Sequence, residues 1–321
     1  QGDFRLASAG PTDLAGLENL ERVDGTLTVS VKDLGSLAGL KSLRHAGGLA
    51  IGSTNITSLR GLEALEQVER DLTIYSNDQL VAFDHLHQLR MVGGTLQVSS
   101  NKSLVKFEAP ARGPSIGSMI IANNAALTGL GDLRSLRVGG GTSRGCGLEG
   151  GAIGIMENES LTIINGLGSA RHVGCIAVTG NPKLEQIANL GSGHDVGLLT
   201  LSDLPKLNEL RINLSVAREL TISRTGLRNL SAFAQTPLAC AVSIWGNLKL
   251  LTLGDFGAGR TDIAASLRIF DNPNLPMCEA EALADALPPS DREGCPVDPS
   301  LPDAKERVVI ITGNDETPLC E

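Results

Sequence analysis

Two apolar residues separated by one recur at near-constant intervals along the chain, and no other feature restricts the fold as strongly. The pairs are Phe4/Leu6, Leu27/Val29, Leu49/Ile51, Leu72/Ile74, Leu96/Val98, Met119/Ile121, Ile153/Ile155, Ile176/Val178, Leu199/Leu201, Leu220/Ile222, Val242/Ile244, Leu267/Ile269 and Val309/Ile311. From Phe4 the steps are 23, 22, 23, 24, 23, 34, 23, 23, 21, 22, 25 and 42 residues. Residues two apart face the same side of a strand, so each pair marks a strand with one buried face. Between pairs the apolar period changes to three: in residues 68–89 the inward set is Val68, Leu72, Ile74, Leu80, Phe83, Leu86 and Leu89. A unit of this length cannot bury its apolar face alone. Stacking consecutive units buries a continuous core, which predicts a right-handed parallel β-solenoid of about 12 to 13 rungs, roughly 60 Å long at the strand spacing of a sheet.

Asn77, Asn101, Asn124, Asn158, Asn181, Asn247, Asn272 and Asn314 each follow the second residue of a pair by three. A side-chain amide at a buried corner can bridge backbone groups of adjacent coils, which are otherwise costly to leave unpaired. The pattern L-x-I-x-x-N-x-x-L-x-x-L-x-x-L resembles the receptor L domain, the leucine-rich-repeat relative found in growth-factor receptor ectodomains and in secreted or lipoprotein-type bacterial chains. The resemblance runs from Gly2 through Cys320 and includes NPNLPMC at 272–278 and ITGNDETPLC at 311–320. It implies a noncatalytic recognition or surface role. It carries over no ligand-contacting residue, because the motif consists of core positions.

Because an array has no separate cores, the 321 residues read as one domain. Residues 1–26 are its N-terminal cap, 27–275 the repeats and 276–321 a disulfide-bonded C-terminal cap. A glycine-rich loop at 138–152 stretches one step to 34 residues, and a helix is expected at 278–287, with Ala282, Leu283, Ala286 and Leu287 on its inner stripe. Aromatics make up only 2% of the chain, so Leu, Ile, Val and Ala fill the interior. The net charge of -9, without a basic stripe, argues against nucleic acid as the main partner. No apolar run is long enough for a transmembrane segment. The chain begins at Gln1 without Met, which leads to the expectation of a removed signal segment, with a lipid anchor upstream of residue 1 as one form of it.

Six cysteines, none in a C-x-x-C arrangement, suit disulfides in an oxidising compartment, and hence a secreted or surface-anchored location, better than a zinc site. Six allow fifteen connectivities. The expected one is Cys146–Cys175, Cys278–Cys320 and Cys240–Cys295: Cys278 follows Ile269 by nine residues and Cys320 follows Ile311 by nine, so these two hold equivalent places in successive coils.

Enzyme-like strings fail on context. Residues 113–117 and 141–145 match G-x-S-x-G, but a nucleophile elbow requires a strand before, a helix after, and His and Asp partners. Residues 145–150 match G-x-G-x-x-G yet run into a strand, where no helix N-terminus awaits a phosphate. His85 and His87 beside Asp84 read as solvated side chains flanking Leu86, and no calcium loop is present, so neither a metal nor another cofactor is expected. Five sequons begin at Asn55, Asn101, Asn158, Asn213 and Asn229; two of these asparagines belong to the corner column.

The residue after each pair points outward, and that column is mostly small or hydroxylated. Its aromatic exceptions are Trp245, the only tryptophan, on the rung beside Phe270, and Tyr75 farther along. With Arg268 nearby, these residues are the candidate ligand-binding set, since aromatic rings and arginine dominate binding hot spots. The leading expectation is a noncatalytic extracellular or cell-surface adhesion protein that binds a protein or glycan through its sheet face. The alternatives are a structural envelope component or a partner domain of a larger receptor and, last, a polysaccharide-acting β-helix enzyme, whose sheet would need clustered carboxylates that the outward strand positions lack.

Overall fold

A computed structural model describes residues 2–7, 13–139, 151–167, 172–256, 262–263, 265–287 and 308–315. The chain is mainly β, a parallel β-solenoid of about 10 turns with one short helix. Every apolar pair read from the sequence lies in one continuous parallel ladder: Phe4 opposes Leu27, Leu27 opposes Leu49, Leu49 opposes Leu72, Leu72 opposes Leu96, and so on through Met119, Ile153, Ile176, Leu199, Leu220, Val242 and Leu267 to Val309. The turns are fewer than the 12 to 13 rungs counted from pairs. A pair requires only a strand, whereas a turn also requires its return path, and the end strands Phe4–Ala7 and Val308–Thr312 extend the ladder at either side.

The core is one continuous apolar column. Val68, Leu72, Ile74, Leu80, Phe83 and Leu89 are fully buried and Leu86 nearly so, which is the inward set read from residues 68–89. The three-residue spacing becomes short bridges and tight turns: Ala82–Phe83 pairs with Lys106–Phe107, and the two phenylalanine rings stack with centroids 4.6 Å apart. Three return paths tighten into 3-10 turns at Ala38–Leu40, Ser231–Phe233 and Gly254–Phe256. Close approach of adjacent coils explains the glycine before Ile153: a Cβ on Gly151, which has φ +81°, would run into the carbonyl oxygen of Gly117 one coil below.

Two consecutive coils differ from the rest. Gln186–Leu204 and Glu209–Thr225 are strands of 19 and 17 residues that turn the corners of the coil without a helical segment, with register shifts between Ile187 and Asp195. Only 21 residues separate Leu199 from Leu220, the shortest step in the chain. Fewer residues must span a similar perimeter, which favours extended backbone.

The helix is Met277–Ala286, one residue earlier than expected, and its inner stripe is corrected. Ala280, Leu283 and Leu287 are buried, whereas Ala282 and Ala286 face outward. Spacings of three and four place 280, 283 and 287 on one side of a helix, so Leu283 and Leu287 of the expected stripe face inward and Ala280 stands where Ala282 and Ala286 were expected. The interior of the loop at 138–152 lies outside the described residues, although Val138 and Ile153 at its ends are buried.

Candidate functional site

From the third rung of the ladder onward, each strand runs into a residue in the left-handed region before the chain turns inward: Ser53, Ser76, Ser100, Asn123, Glu157, Gly180, Asp203, Arg224, Gly246, Asp271 and Gly313 all have positive φ. The next residue enters the interior, and there the asparagines are found. All eight are buried. Asn101 shows the pattern: its backbone N–H and its Nδ2 donate to Asn124 Oδ1 at 3.1 and 3.2 Å, while Nδ2 also reaches the carbonyl oxygen of Ile74 at 3.1 Å. Two threonines stand at the same position in rungs without asparagine, and sequence reasoning missed both. Thr54 N–H and Oγ1 donate to Asn77 Oδ1, and Thr225 N–H and Oγ1 donate to Asn247 Oδ1. Each follows the second residue of its pair, Ile51 or Ile222, by the same three residues as the asparagines, so the spacing already marked them in the sequence.

Outside this corner, the column following each pair holds the candidate binding residues. Ser223, Trp245 and Phe270 are in register on three adjacent strands. The Trp245 and Phe270 rings are parallel, with an interplanar angle of 0° and centroids 5.9 Å apart. Both are half-buried. The guanidinium carbon of Arg224 lies 4.4 Å from the Trp245 ring centroid, a cation–π geometry. Arg224 comes from the rung on one side of Trp245 and Phe270 from the rung on the other. The sequence reading placed Arg268 in this role; Arg268 is on the same outward face, two residues before Phe270, in register with Ser243. Arg224 was missed because it sits in the left-handed column, one residue beyond the outward position that follows each pair. Gly246, with φ +67°, makes room for it, since a Cβ there would stand 3.2 Å from Arg224 Cγ.

Arg224 is held in place by Asp203 of the preceding coil. Its Nη2 donates to Asp203 Oδ2 at 2.7 Å and its Nε to Oδ1, a bidentate pairing. The hydroxyl of Ser223 donates to Ser202 Oγ at 2.8 Å, and Ser202 Oγ donates to Asp203 Oδ2 at 2.9 Å. The hydrogen bond from Arg224 is the main reason the Asp203 carboxyl titrates below its ordinary value; burial opposes it, and a hydrogen bond from Ser202 adds a smaller lowering. The same bond raises the Arg224 pKa. Both side chains remain nearly half exposed, at 45% and 44%.

Tyr75 belongs elsewhere on the face. Its ring lies over Gly52, where any Cβ would collide with it. Seven ladder steps separate it from Trp245, through Ser99, Ala122, Met156, Thr179, Ser202 and Ser223, a distance of roughly 34 Å at the spacing of parallel strands. The strip between the two aromatics is low. Met156 folds its end back toward Gly154, where a Cβ would meet Met156 Cε at 3.2 Å.

Ser115 of the first G-x-S-x-G string opens the strand Ser115–Ala122, so no helix follows it; the second string and residues 145–150 lie outside the described residues. His85 Nδ1 is 3.6 Å from Glu63 Oε1 and its Nε2 is 3.5 Å from Asp84 Oδ2, with the His87 ring 5.8 Å away, centroid to centroid. Among the described residues no group of three His, Cys, Asp or Glu side chains could hold a metal ion. No helix among them is long and apolar enough to cross a membrane. No cysteine among them is free. Cys175 and Cys240 are buried and Cys278 half-buried, whereas Cys146, Cys295 and Cys320 lie outside the described residues. Of the sequons, Asn101 and Asn158 are buried in the ladder, Asn55 and Asn229 are exposed, and the Asn213 side chain lies outside the description. Comparison with models of known protein families, with curated proteins and with solved structures finds no match.

Proposed function

We propose that this chain is a noncatalytic recognition solenoid, secreted or anchored at a cell surface, that binds a glycan through its outward strand face at Asp203, Arg224, Trp245 and Phe270. The receptor L-domain resemblance, the right-handed coil and the leucine-rich-repeat character are parts of the same proposal. The observation that carries it is the Arg224 guanidinium over the indole of Trp245, which is itself stacked on Phe270. The adjoining strip holds Thr179, Ser202 and Ser223. Hydroxyls beside a carboxylate–guanidinium pair offer both donors and acceptors to vicinal hydroxyls of a sugar, and the aromatic edges offer apolar contact. A protein ligand is the alternative, in which a side chain inserts at the same rings. In this reading Arg268 flanks the site and Tyr75 makes a second, distant contact on a long ligand.

Trp245 is the only tryptophan, so its fluorescence reports the site directly. Titration with soluble envelope glycans should shift the emission and saturate. Trp245→Ala should weaken binding by about 2 kcal/mol or more, as expected of a hot-spot residue. The stability of the same variant should fall by only about 1 kcal/mol, the scale of the lost ring and cation contacts. A large loss of stability with ligand binding intact would assign Trp245 to packing and move the recognition surface elsewhere.

A further inference from the structure

The interior amide ladder is not continuous. Its first run begins at Thr54 and passes through Asn77, Asn101, Asn124 and Asn158 to Asn181, each donating to the oxygen of the next. Its second run begins at Thr225 and passes through Asn247 and Asn272 to Asn314. The rung between them places Leu204, fully buried, at the ladder position. Leucine has no oxygen for the Asn181 N–H, the donation that every earlier asparagine of the run makes to its successor. It likewise has nothing to donate to Thr225.

Each asparagine that is followed by another in its run ties three coils together. Asn158, for example, donates forward to Asn181 Oδ1 and back to the Ile121 carbonyl of the coil before it. Replacing one member by leucine therefore removes the interior side-chain hydrogen bonding across two successive steps, Asn181 to Leu204 and Leu204 to Thr225. On the second step the exterior compensates, because the Asp203–Arg224 pair and the Ser202–Ser223 bond connect those two coils. On the first step the described side chains contribute an exposed bond from Gln186 Nε2 to Glu209 Oε2. The first step also has three consecutive register shifts, between Ile187 and Asp195, where the other irregular strand pairs have one each.

We infer that the solenoid consists of two cooperative segments joined at the coil of Leu204, each organised by its own threonine-initiated amide run, with the Asp203–Arg224 pair serving as an outer clip at the joint. The N-terminal segment carries Tyr75 and the C-terminal segment carries Trp245 and Phe270. The joint thus divides the outward face, and the two parts can open independently.

Amide-resolved hydrogen exchange of the full chain under native conditions tests this. The Asn181 amide should exchange about three- to tenfold faster than that of Asn158, the equivalent of one missing hydrogen bond. Leu204→Asn should join the two runs, slow the Asn181 amide to the rate of Asn158 and raise the unfolding midpoint. The control Leu207→Asn, a buried leucine off the ladder, should lower it. Equal exchange at Asn181 and Asn158 in the wild-type chain overturns the inference, whether or not either variant folds. So does a Leu204→Asn midpoint lowered as far as that of the control.

Discussion

A single amide in the ladder carries several bonds at once, so its removal is felt beyond its own rung. Asn124 accepts from the Asn101 N–H and Nδ2, donates to Asn158 Oδ1, and caps the carbonyls of Val98 and Ala122. Asn124→Ala should lower unfolding stability by roughly 2–3 kcal/mol, since it leaves the buried Asn101 N–H without an acceptor. Asn124→Thr should recover part of the loss, because threonine fills this position at Thr54 and Thr225. Denaturant unfolding of the two variants checks both the size and the order. The ladder also sorts the sequons. Expressed through a glycosylating secretory pathway, the chain should carry glycan at Asn55 or Asn229 and none at Asn101 or Asn158, whose amides are fully buried; glycopeptide mass mapping reads this directly.

Among the elements, the helix Met277–Ala286 has the clearest role. It buries Leu283 and Ala280, and Glu279 in its first turn reaches back to accept from the Thr252 hydroxyl at 2.8 Å and the Leu253 N–H at 2.7 Å. Helix propensity accounts for little of this, because ten residues are too few for a stable isolated helix in water. Packing onto the last coils supplies the rest. Leu283→Ala should cost about 2–5 kcal/mol, the usual range for truncating a buried leucine, and should release the helix before the central coils in a protease-sensitivity assay. Were the loss spread evenly over the solenoid, the helix would be part of the core rather than its cap.

For the molecule as a whole, the outer clip makes a small contribution with a definite pH dependence. The Asp203 carboxyl is depressed, so its stabilisation is complete above the ordinary aspartate pKa, about 3.9, and is lost as the pH falls through the lowered folded value. With both partners nearly half exposed, the pair is worth under about 1 kcal/mol. The melting difference between wild type and Asp203→Asn should be constant above about pH 5 and shrink below about pH 4. The expected Cys146–Cys175, Cys240–Cys295 and Cys278–Cys320 pairing is a separate whole-chain prediction, checked by nonreduced peptide mass mapping. Free thiols throughout would remove the argument for an oxidising compartment.

The ladder of strands was legible in the amino-acid order alone, because a buried face of period two followed by turns of period three has few other ways to exclude water. Leu72, Ile74, Phe83 and Leu89 had to point inward whatever the remainder of the chain did, and the asparagine column marked the buried corners for the same reason. What only the tertiary structure decided are relations between coils, which no local pattern encodes. That Arg224 rather than Arg268 stands over Trp245 follows from a left-handed residue stacking against the next rung across Gly246. That Ala280 rather than Ala282 faces the core follows from how the helix settles on the last coils. Leu204 reads in sequence as one more core leucine, and its meaning as a gap between two amide runs exists only when Asn181 and Thr225 are set above and below it.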